Sequence, residues 1–388
     1  MSKRIVITGA GVVSALGCGK SENLAALKER RSGIAPVHYL STSLNQLLVG
    51  EVPLSNSQIS ARLGVADTYP RTSLLGILAL DEALRQAGLT DVEDGELMPL
   101  VSGTTVGGMD LTERSYPSVS PYHDCGASTD VIAARFKLFS SATTVSTACS
   151  SAMNAILFGA NLIKTGQAVR VAAGGTEALS NFHLNGFNSL MILDKGPCRP
   201  FDANREGLNL GEGAAYLILE DEQSALERNA SVLGVLSGGG NACDAFHQTA
   251  SSENGEGAFL AMKKSLESSR LNAGEIDYIN AHGTGTVNND ASESTAIRRV
   301  FGEKVPPVSS TKAFTGHTTS ASGSIESVFC LLAIQEGLIL PQLNFRTPDP
   351  ACIIPTSGGE KRLKHILCNS FGFGGNDSSL IISSYDRP

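Results

Sequence analysis

The amino-acid sequence predicts an α/β fold made of two halves that repeat one pattern. Apolar stretches alternate with helical stretches along the whole chain of 388 residues, as is typical of helices packed on a central sheet. Near residue 4 and again near residue 231, an apolar strand feeds a glycine-rich turn and then a helix. We therefore divide the chain into an N-terminal half, residues 1–230, and a C-terminal half, residues 231–388. No proline- or serine-rich linker separates them, so we expect the halves to pack tightly.

The composition of the chain excludes several classes of function. The sequence is 41% hydrophobic with a net charge of −8, so it can bury a large core but has no basic block for nucleic acid. No apolar run reaches the length of a membrane span, and the N-terminus is already typical of a strand, so we expect no signal peptide. The eight cysteines show no metal-ligand spacing. We expect reduced thiols in a cytoplasmic protein without a metal site.

The first strand, within residues 4–16, is similar to two nucleotide-binding motifs but matches neither. Gly9-Ala-Gly11-Val-Val-Ser14 has serine where a dinucleotide fingerprint needs its third glycine. Gly19-Lys20-Ser21 ends like a phosphate loop, but that motif also needs glycine at position 14. The sequence instead predicts a strand, a glycine turn and the start of a helix.

The next elements of the N-terminal half follow from apolar spacing. Residues 71–87 predict an amphipathic helix. Residues 100–108 predict a strand that ends in a glycine turn, and residues 169–177 and 214–220 predict buried strands. Residues 109–130 are polar and contain two prolines, so they predict a loop with no more than one helical turn.

Cys149 lies at the junction between a predicted strand and a predicted helix. Residues 143–147 are β-branched or small, which suits a strand, and residues from Ser150 onward predict a buried helix. The first amides of a helix are unpaired and carry partial positive charge. We expect this position to lower the pKa of the thiol and to make Cys149 a nucleophile. From this stretch alone, a buried structural cysteine is equally compatible.

The C-terminal half places two histidines directly after strands. A strand over 232–241, containing a glycine turn, and a helix over 257–270 open this half. The strand over 276–281 leads into His282, and the one over 305–310 leads to His317. An apolar helix over 321–336 and two last strands, joined by a glycine-rich loop, complete it. Because functional groups gather beyond the carboxyl ends of strands, Cys149 and the two histidines indicate nucleophilic acyl chemistry.

Six motifs, spread over nearly the whole chain, resemble those of β-ketoacyl-acyl carrier protein synthases of the elongating type and occur in the family's order. They are Thr147-Ala-Cys149-Ser-Ser, Arg199-Pro-Phe-Asp202-Ala-Asn-Arg205-Glu-Gly with Gly211-Glu212-Gly-Ala, Asp244-Ala-Phe-His247-Gln-Thr, Ala281-His-Gly-Thr-Gly-Thr286 with Asp290 and Glu293, Lys312 with Gly316-His317, and Asn369-Ser-Phe-Gly-Phe-Gly-Gly375. The resemblance implies a thiolase-like layered αβαβα fold of two pseudo-repeated halves. It also implies an acyltransferase that extends an acyl chain by decarboxylative Claisen condensation with malonyl-acyl carrier protein.

The resemblance assigns roles to five catalytic residues. Cys149 would carry the acyl group, and His282 and His317 would stabilise the enolate formed from malonyl. The amides of Cys149 and Phe373 would form a second oxyanion hole, and Phe373 would also act as a gate between the acyl pocket and the malonyl side. Lys312 would bias the charge and hydrogen bonding of His317.

The resemblance also implies binding and supporting residues. Thr284 and Thr286 would hold the pantetheine arm, while Phe371 and Gly374 would contact substrate. Glu293 resembles the acid that pairs with the lysine, and Asp290 would support the site from behind. Catalysis would need no metal, although three residues match the site of a structural monovalent cation in some members: Asn280, Glu326 and Asn369.

Two segments depart from the family's pattern and bear on substrate and partner. Residues 103–141 are short and polar where members commonly shape the acyl pocket and the dimer contact, and Ser320-Ala-Ser-Gly323 replaces Gly-Ala-Ala-Gly. The expected partners are an acyl carrier protein and a second subunit, in a homodimer or a heterodimer. Substrates would arrive on phosphopantetheine, without another cofactor, in fatty-acid, polyketide or polyene synthesis.

The alternatives differ in their cysteines and histidines. A thiolase would need a second catalytic cysteine before x-Gly, but Cys368 precedes Asn-Ser-Phe. The initiating class of condensing enzymes has asparagine at the position of His317. Two interpretations remain beside the main one: a catalytic subunit paired with a non-catalytic chain-length factor, or such a factor itself, which would typically lack the nucleophile.

Overall fold

The computed structural model describes residues 3–65, 68–90 and 97–386. Within them lie fifteen strands: β1 (Ile5–Ser14), β2 (Gly17–Cys18), β3 (Ala35–Pro36), β4 (Leu48–Val49), β5 (Met98–Gly103), β6 (Phe139–Val145), β7 (Arg170–Glu177), β8 (Gly213–Asp221), β9 (Gly234–Cys243), β10 (Tyr278–Asn280), β11 (Val308–Ser309), β12 (Leu338–Ile339), β13 (Gly359–Glu360), β14 (His365–Gly372) and β15 (Asn376–Ser383). The same residues form twelve α-helices: α1 (Lys20–Lys28), α2 (Asn56–Leu63), α3 (Arg71–Ala87), α4 (Met109–Ser115), α5 (Cys125–Phe136), α6 (Ser151–Lys164), α7 (Asn181–Ser189), α8 (Glu222–Glu227), α9 (Glu256–Ser269), α10 (Val287–Phe301), α11 (Lys312–Thr315) and α12 (Ser322–Glu336).

The central sheet is built twice from the same strand order. Strands β1 and β9 pair antiparallel at its centre. From β1 outward the order is β8, β7, β5 and β6, and from β9 outward it is β15, β14, β10 and β11. In each half the first two pairings are antiparallel and the last two are parallel. The predicted α/β class is therefore confirmed, with two halves of one topology; a domain boundary at residue 230 stays a prediction.

Helices cover both faces of this sheet in layers. Helices α6 and α12 share one core with a face of β1, β8, β14 and β15. The opposite face is covered by α3 in the N-terminal half and by α9 and α10 in the C-terminal half. The first twelve residues of α12 are all buried, as expected of a helix that lies between other layers. No helix among the described residues has both the length and the apolar character needed to cross a membrane.

The glycines of β1 lie inside the strand, so the predicted turn at residues 9–11 was wrong. A Cβ atom on Gly11 would lie 2.0 Å from the carbonyl oxygen of Ala79, and one on Gly9 would lie 2.2 Å from that of Ala83. Both oxygens belong to α3. These glycines therefore serve close packing of a helix backbone against a strand.

The same contact recurs in the C-terminal half, where the predicted glycine turn was also wrong. A Cβ atom on Gly240 would lie 2.2 Å from the carbonyl oxygen of Ala261, and one on Gly238 would lie 2.4 Å from that of Ser265. Two strand residues thus face two oxygens four residues apart on α9, as on α3. The repetition of the two halves therefore includes this close contact between a strand and a helix.

Residues 109–130 are more helical than the sequence predicts. Helix α4 occupies Met109–Ser115, and Cys125 begins the twelve-residue helix α5. The polar composition concealed α5 because only three of its residues are buried, namely Ser128, Thr129 and Ile132. A helix with so narrow a buried face gives a weak apolar period.

Substituting Gly11 tests the close contact between α3 and β1. Gly11→Ala is expected to lower the free energy of unfolding by about 3 kcal/mol or more, because the added methyl group must displace a helix backbone. Gly186→Ala is the control, since a Cβ there meets no atom within 4 Å and alanine favours the helix by about 1 kcal/mol. Urea unfolding measures both, and equal stability of the two variants would contradict the packing argument.

Asp377 on β15 gives the stability of the fold a predictable dependence on pH. A Cβ on Gly257 would lie 2.2 Å from its Oδ2 and 2.9 Å from the Cβ of Asp244, so the two acids lie against one point of α9. Burial, together with Asp244 and then Glu293, raises the pKa of Asp377 to about 8. The folded state therefore binds a proton more tightly than the unfolded state, and stability falls as pH rises from about 4 to about 8.

Replacing this acid by its uncharged analogue should remove that part of the pH dependence. We expect Asp377→Asn to raise the melting temperature more at pH 8 than at pH 5, because only the ionised carboxylate is penalised. Asp130→Asn, at an exposed position of α5, is the matched control. A gain for Asp377→Asn that is the same at both pH values would show that charge is not the cause.

Candidate active site

Cys149 lies between β6 and α6 in a turn locked by hydroxyl groups. The side chain of Ser151 accepts a hydrogen bond from the amide of Thr147 at 2.9 Å and donates one to the carbonyl of Ala148 at 2.6 Å. Ala148 has a φ of 52°, a left-handed conformation that is uncommon outside glycine and persists where the surroundings enforce it. Ser370 donates to the carbonyl of Cys149 at 3.0 Å. The thiol is thus fixed from both halves of the chain.

His317 is the histidine in contact with the thiol. Its Nε2 lies 3.1 Å from Sγ of Cys149, and its Nδ1 lies 3.0 Å from Oγ of Ser322. The backbone of His317 bonds to that of Asn209 and Gly211. Its ring is held at both nitrogens, by Cys149 and by Ser322. The ring of His282 approaches it edge-on, with centroids 5.3 Å apart. The three residues that the sequence predicts to share a site therefore do meet.

Lys312 contacts His282 and pairs with Glu326. Its Nζ lies 3.2 Å from Nδ1 of His282 and 2.6 Å from Oε1 of Glu326, and all three side chains are buried. The lysine therefore hydrogen-bonds to His282 and acts on His317 through its charge. One expectation was wrong: the acid partner of the lysine is Glu326 on α12 rather than Glu293.

Glu293 and Asp290 instead hold the turn that carries His282. The two oxygens of Glu293 accept from the amides of His282 and Gly283, each at 2.8 Å. Asp290 accepts from the amide of Gly285 at 3.2 Å and from that of Phe201 at 2.8 Å. Both acids lie on α10, directly after the turn, so they fix its backbone.

The pKa of the Cys149 thiol is raised to about 11, which contradicts the expected lowering at a helix N-terminus. Burial is the largest cause; the charge of Lys312 and hydrogen bonds from the amides of Phe373 and Cys149 lower the pKa but do not offset it. Burial, and then the charge of Lys312, holds the pKa of His282 and of His317 well below the usual range. The resting site therefore contains a thiol and two neutral imidazoles.

A cavity of about 410 Å³ opens onto these groups. Cys149, His282 and His317 line it together with all five predicted gate and binding residues: Thr284, Thr286, Phe371, Phe373 and Gly374. The hydroxyls of Thr284 and Thr286 lie 2.9 Å apart. The predicted binding residues thus share one cavity with the thiol.

Phe373 lies at this cavity without entering the core. It is half-buried, and its ring stacks on Phe187 of α7 with centroids 5.8 Å apart. On one side, a Cβ on Gly372 would lie 2.9 Å from the carbonyl oxygen of Thr147 and 3.1 Å from the amide nitrogen of Cys149. On the other side, Gly374 has a φ of 81°, which glycine adopts without strain.

Sequence reasoning missed two residues that bear on the reacting groups. Ser322 contacts His317, and Glu177 is a buried acid that accepts from Ser320 at 2.6 Å and from Thr104 at 2.7 Å. Glu177 also contributes to the raised pKa of Cys149. The available signal was the replacement of Gly-Ala-Ala-Gly by Ser320-Ala-Ser-Gly323, since both serines make these contacts.

Two orphaned oxygens suit the cation site that the family resemblance implies. Oδ1 of Asn280 and Oε2 of Glu326 are buried without a hydrogen-bond partner. Asn369 fits less well, because its Oδ1 already accepts from Ser379 at 2.9 Å. A monovalent ion there would neutralise part of the Glu326 charge. Among the described residues, no cluster of three or more histidine, cysteine or acidic side chains could hold a metal.

Comparison with known proteins finds relatives that match nearly the whole chain. The family model described as the N-terminal domain of beta-ketoacyl synthase matches residues 2–225, and that of its C-terminal domain matches residues 233–346. Nodulation protein E of Rhizobium meliloti (strain 1021) is 36% identical over 405 residues, covering 98% of this chain and 99% of its own. The 3-oxoacyl-[acyl-carrier-protein] synthase 2 of Coxiella burnetii (strain RSA 493 / Nine Mile phase I) is 31% identical over 410 residues, covering 98% of each chain.

A solved structure extends the likeness to three dimensions. The ishigamide ketosynthase/chain length factor matches with a TM-score of 0.92 and 32% identity over 100% of both chains. The thiolase-like fold implied by the motifs is thereby confirmed. With both family models matched in order and a cysteine and two histidines around one cavity, the chain belongs to the β-ketoacyl synthase family of condensing enzymes.

Proposed function

We propose that this protein catalyses decarboxylative Claisen condensation between an acyl thioester and malonyl-acyl carrier protein, which lengthens a fatty-acyl, polyketide or polyene chain by two carbons. One observation carries the proposal: Sγ of Cys149 lies 3.1 Å from Nε2 of His317, at a cavity that His282 also lines. A nucleophile within hydrogen-bond reach of a base is the arrangement that covalent acyl transfer needs.

Acyl transfer begins with a protonated thiol, so the base must accept its proton during attack. Neutral His317 can do this through Nε2 as Sγ bonds to the carbonyl carbon of the thioester. The negative charge that develops on the carbonyl oxygen needs nearby donors. The amides of Cys149 and Phe373 both bond toward the sulfur, which supports their role as this oxyanion hole.

Decarboxylation of malonyl needs donors for the enolate oxygen, and the two neutral histidines can supply them. The ammonium of Lys312 donates to Nδ1 of His282, which leaves the ring proton on Nε2. His282 is then a fixed N–H donor at the cavity. Glu326 pairs with the lysine and holds it against Nδ1 of His282, so the low pKa of His282 is maintained without a buried unpaired cation.

The partners follow from the same chemistry. An acyl carrier protein would deliver both substrates on a phosphopantetheine arm, held by the hydroxyls of Thr284 and Thr286, and no other cofactor is required. We infer a cytoplasmic dimer, either of two such chains or of this chain with a related subunit; the ishigamide neighbour is itself a ketosynthase/chain length factor. Within a heterodimer, the complete cysteine and histidine set favours the catalytic subunit over a non-catalytic chain-length factor.

The nucleophile and the two histidines can be separated by half-reaction. With octanoyl-acyl carrier protein, intact mass and peptide mapping should place the acyl group on Cys149, and Cys149→Ala should remain unmodified. His282→Ala should retain acylation but lose decarboxylation of malonyl-acyl carrier protein on the order of hundreds-fold, because it removes only an enolate donor. His317→Ala should lower both half-reactions, since Nε2 contacts the thiol.

The control for these variants is His38→Ala, at an exposed histidine outside the cavity. An acyl group found on another cysteine would refute the assigned nucleophile. Equal losses in both half-reactions for His282→Ala and His317→Ala would refute the division of roles between the histidines.

The gate assignment predicts that Phe373 matters for the order of reaction more than for stability. Because its ring is half-buried, Phe373→Ala should lower the melting temperature only slightly, while condensation slows and unproductive decarboxylation rises. Phe371→Ala provides the comparison, because Phe371 is buried in the core and its loss should cost about 3–5 kcal/mol. A large loss of stability with both half-reactions intact in Phe373→Ala would make this residue structural.

A further inference from the structure

The contact between His317 and Ser322 is the starting point. Ser322 is the first residue of α12 and is buried. Its Oγ lies 3.0 Å from Nδ1 of His317 and 3.2 Å from Oγ1 of Thr318. The far side of the catalytic imidazole therefore contacts a hydroxyl that has a second hydroxyl as neighbour.

The two half-reactions place opposite demands on the near side of the same ring. In the resting site, Cys149 is a thiol that donates to Nε2, so the ring proton belongs on Nδ1, which donates to Ser322. Once the sulfur is acylated, no thiol hydrogen remains. The enolate oxygen then needs an N–H from Nε2, and Nδ1 becomes an acceptor.

A hydroxyl group can satisfy both states, whereas a backbone N–H can satisfy only one. By rotating its O–H, serine accepts from Nδ1–H in the first state and donates to bare Nδ1 in the second. Thr318 can accept from Ser322 in the first state and donate to Ser322 in the second. We propose that Ser322 is a positioning residue whose hydroxyl pairs with either neutral tautomer of His317, so that one histidine serves both half-reactions. This inference rests on the proposed condensation.

The protons balance through the cycle. The thiol proton moves to Nε2 as Sγ bonds to the thioester carbon; when that carbon releases the pantetheine sulfur, the leaving sulfur takes the proton from Nε2. Between the half-reactions, Nε2 takes a proton from water in the cavity and Nδ1 gives one up through the hydroxyls of Ser322 and Thr318, so the ring stays neutral. After condensation Cys149 leaves as thiolate and takes the proton of Nε2, while Nδ1 regains one by the same route. One proton is thereby consumed, as decarboxylative condensation requires overall.

Three variants test the role kinetically. Ser322→Ala should slow both acylation by octanoyl-acyl carrier protein and malonyl decarboxylation about tenfold or more, since each tautomer then leaves Nδ1 unpaired. Ser322→Thr should restore both rates to within about threefold, because it returns a hydroxyl. Ser324→Ala, on the same helix, removes a buried hydroxyl that donates only to the carbonyl of Ala321, and should match the wild type in rate.

An NMR experiment detects the tautomer of His317 directly and does not depend on the substrate assignment. In protein labelled with ¹⁵N-histidine, the shifts of the His317 ring nitrogens, assigned by their absence in His317→Gln, should report a proton on Nδ1. After iodoacetamide caps Cys149, confirmed by peptide mapping, they should report a proton on Nε2. The thiol is lost in this step whether or not an acyl carrier protein is the natural substrate.

The outcomes separate the two hypotheses. If the wild type neither takes up an acyl group nor decarboxylates malonyl, the proposed function fails. If the ring proton does not move when the sulfur is capped, the tautomer inference fails. It also fails if Ser322→Ala behaves like Ser324→Ala, or if Ser322→Thr is no better than Ser322→Ala at equal melting temperature.

Discussion

The buried ion pair between Lys312 and Glu326 is the interaction on which the site depends. A buried lysine ammonium is stable only when it is paired, and here Glu326 and Nδ1 of His282 supply partners for Lys312. The pair joins α11 to α12 and to the turn after β10. The charge of Lys312 helps to keep both histidines neutral. The chemistry proposed for the site needs neutral imidazole rings that can donate or accept a proton.

The repeated architecture explains how such distant parts of the chain meet. The nucleophile follows β6 in the N-terminal half, while both histidines follow the parallel strands β10 and β11 of the C-terminal half. Glycines at equivalent places in β1 and β9 let α3 and α9 approach the sheet to backbone contact. Between the layers, α12 supplies Ser322 and Glu326 beneath the two rings, so the central helix supports the site as well as the core.

The sequence was sufficient for the class of fold and for the grouping of Cys149, His282 and His317, because each of them follows a strand, where functional groups of α/β folds gather. It was not sufficient for side-chain and backbone contacts, which depend on distances in three dimensions. From the sequence alone, the glycines of β1 and β9 predict turns, because a strand packed closely against a helix differs from other strands only in these glycines. Glu293 and Glu326 are equally acidic in sequence, and only the packing of α12 shows which one reaches the lysine.

The expected pKa of Cys149 failed for a related reason. The sequence correctly places Cys149 at the start of α6, but burial outweighs the charge and the backbone amides that lower the pKa of its thiol. The extent of burial depends on β14, Ser370 and the Phe373 loop, which come more than two hundred residues later in the chain. Local patterns carry no information on such desolvation.

The raised pKa of the nucleophile also has a consequence for its chemical durability. Oxidants and soft electrophiles react with thiolates far more readily than with thiols. A catalytic cysteine that is ionised at rest is therefore exposed to sulfenic acid formation and to small alkylating metabolites throughout its life. In this protein the raised pKa lowers the thiolate fraction of resting Cys149, so oxidants and alkylating agents, iodoacetamide included, should modify it more slowly than an ionised cysteine.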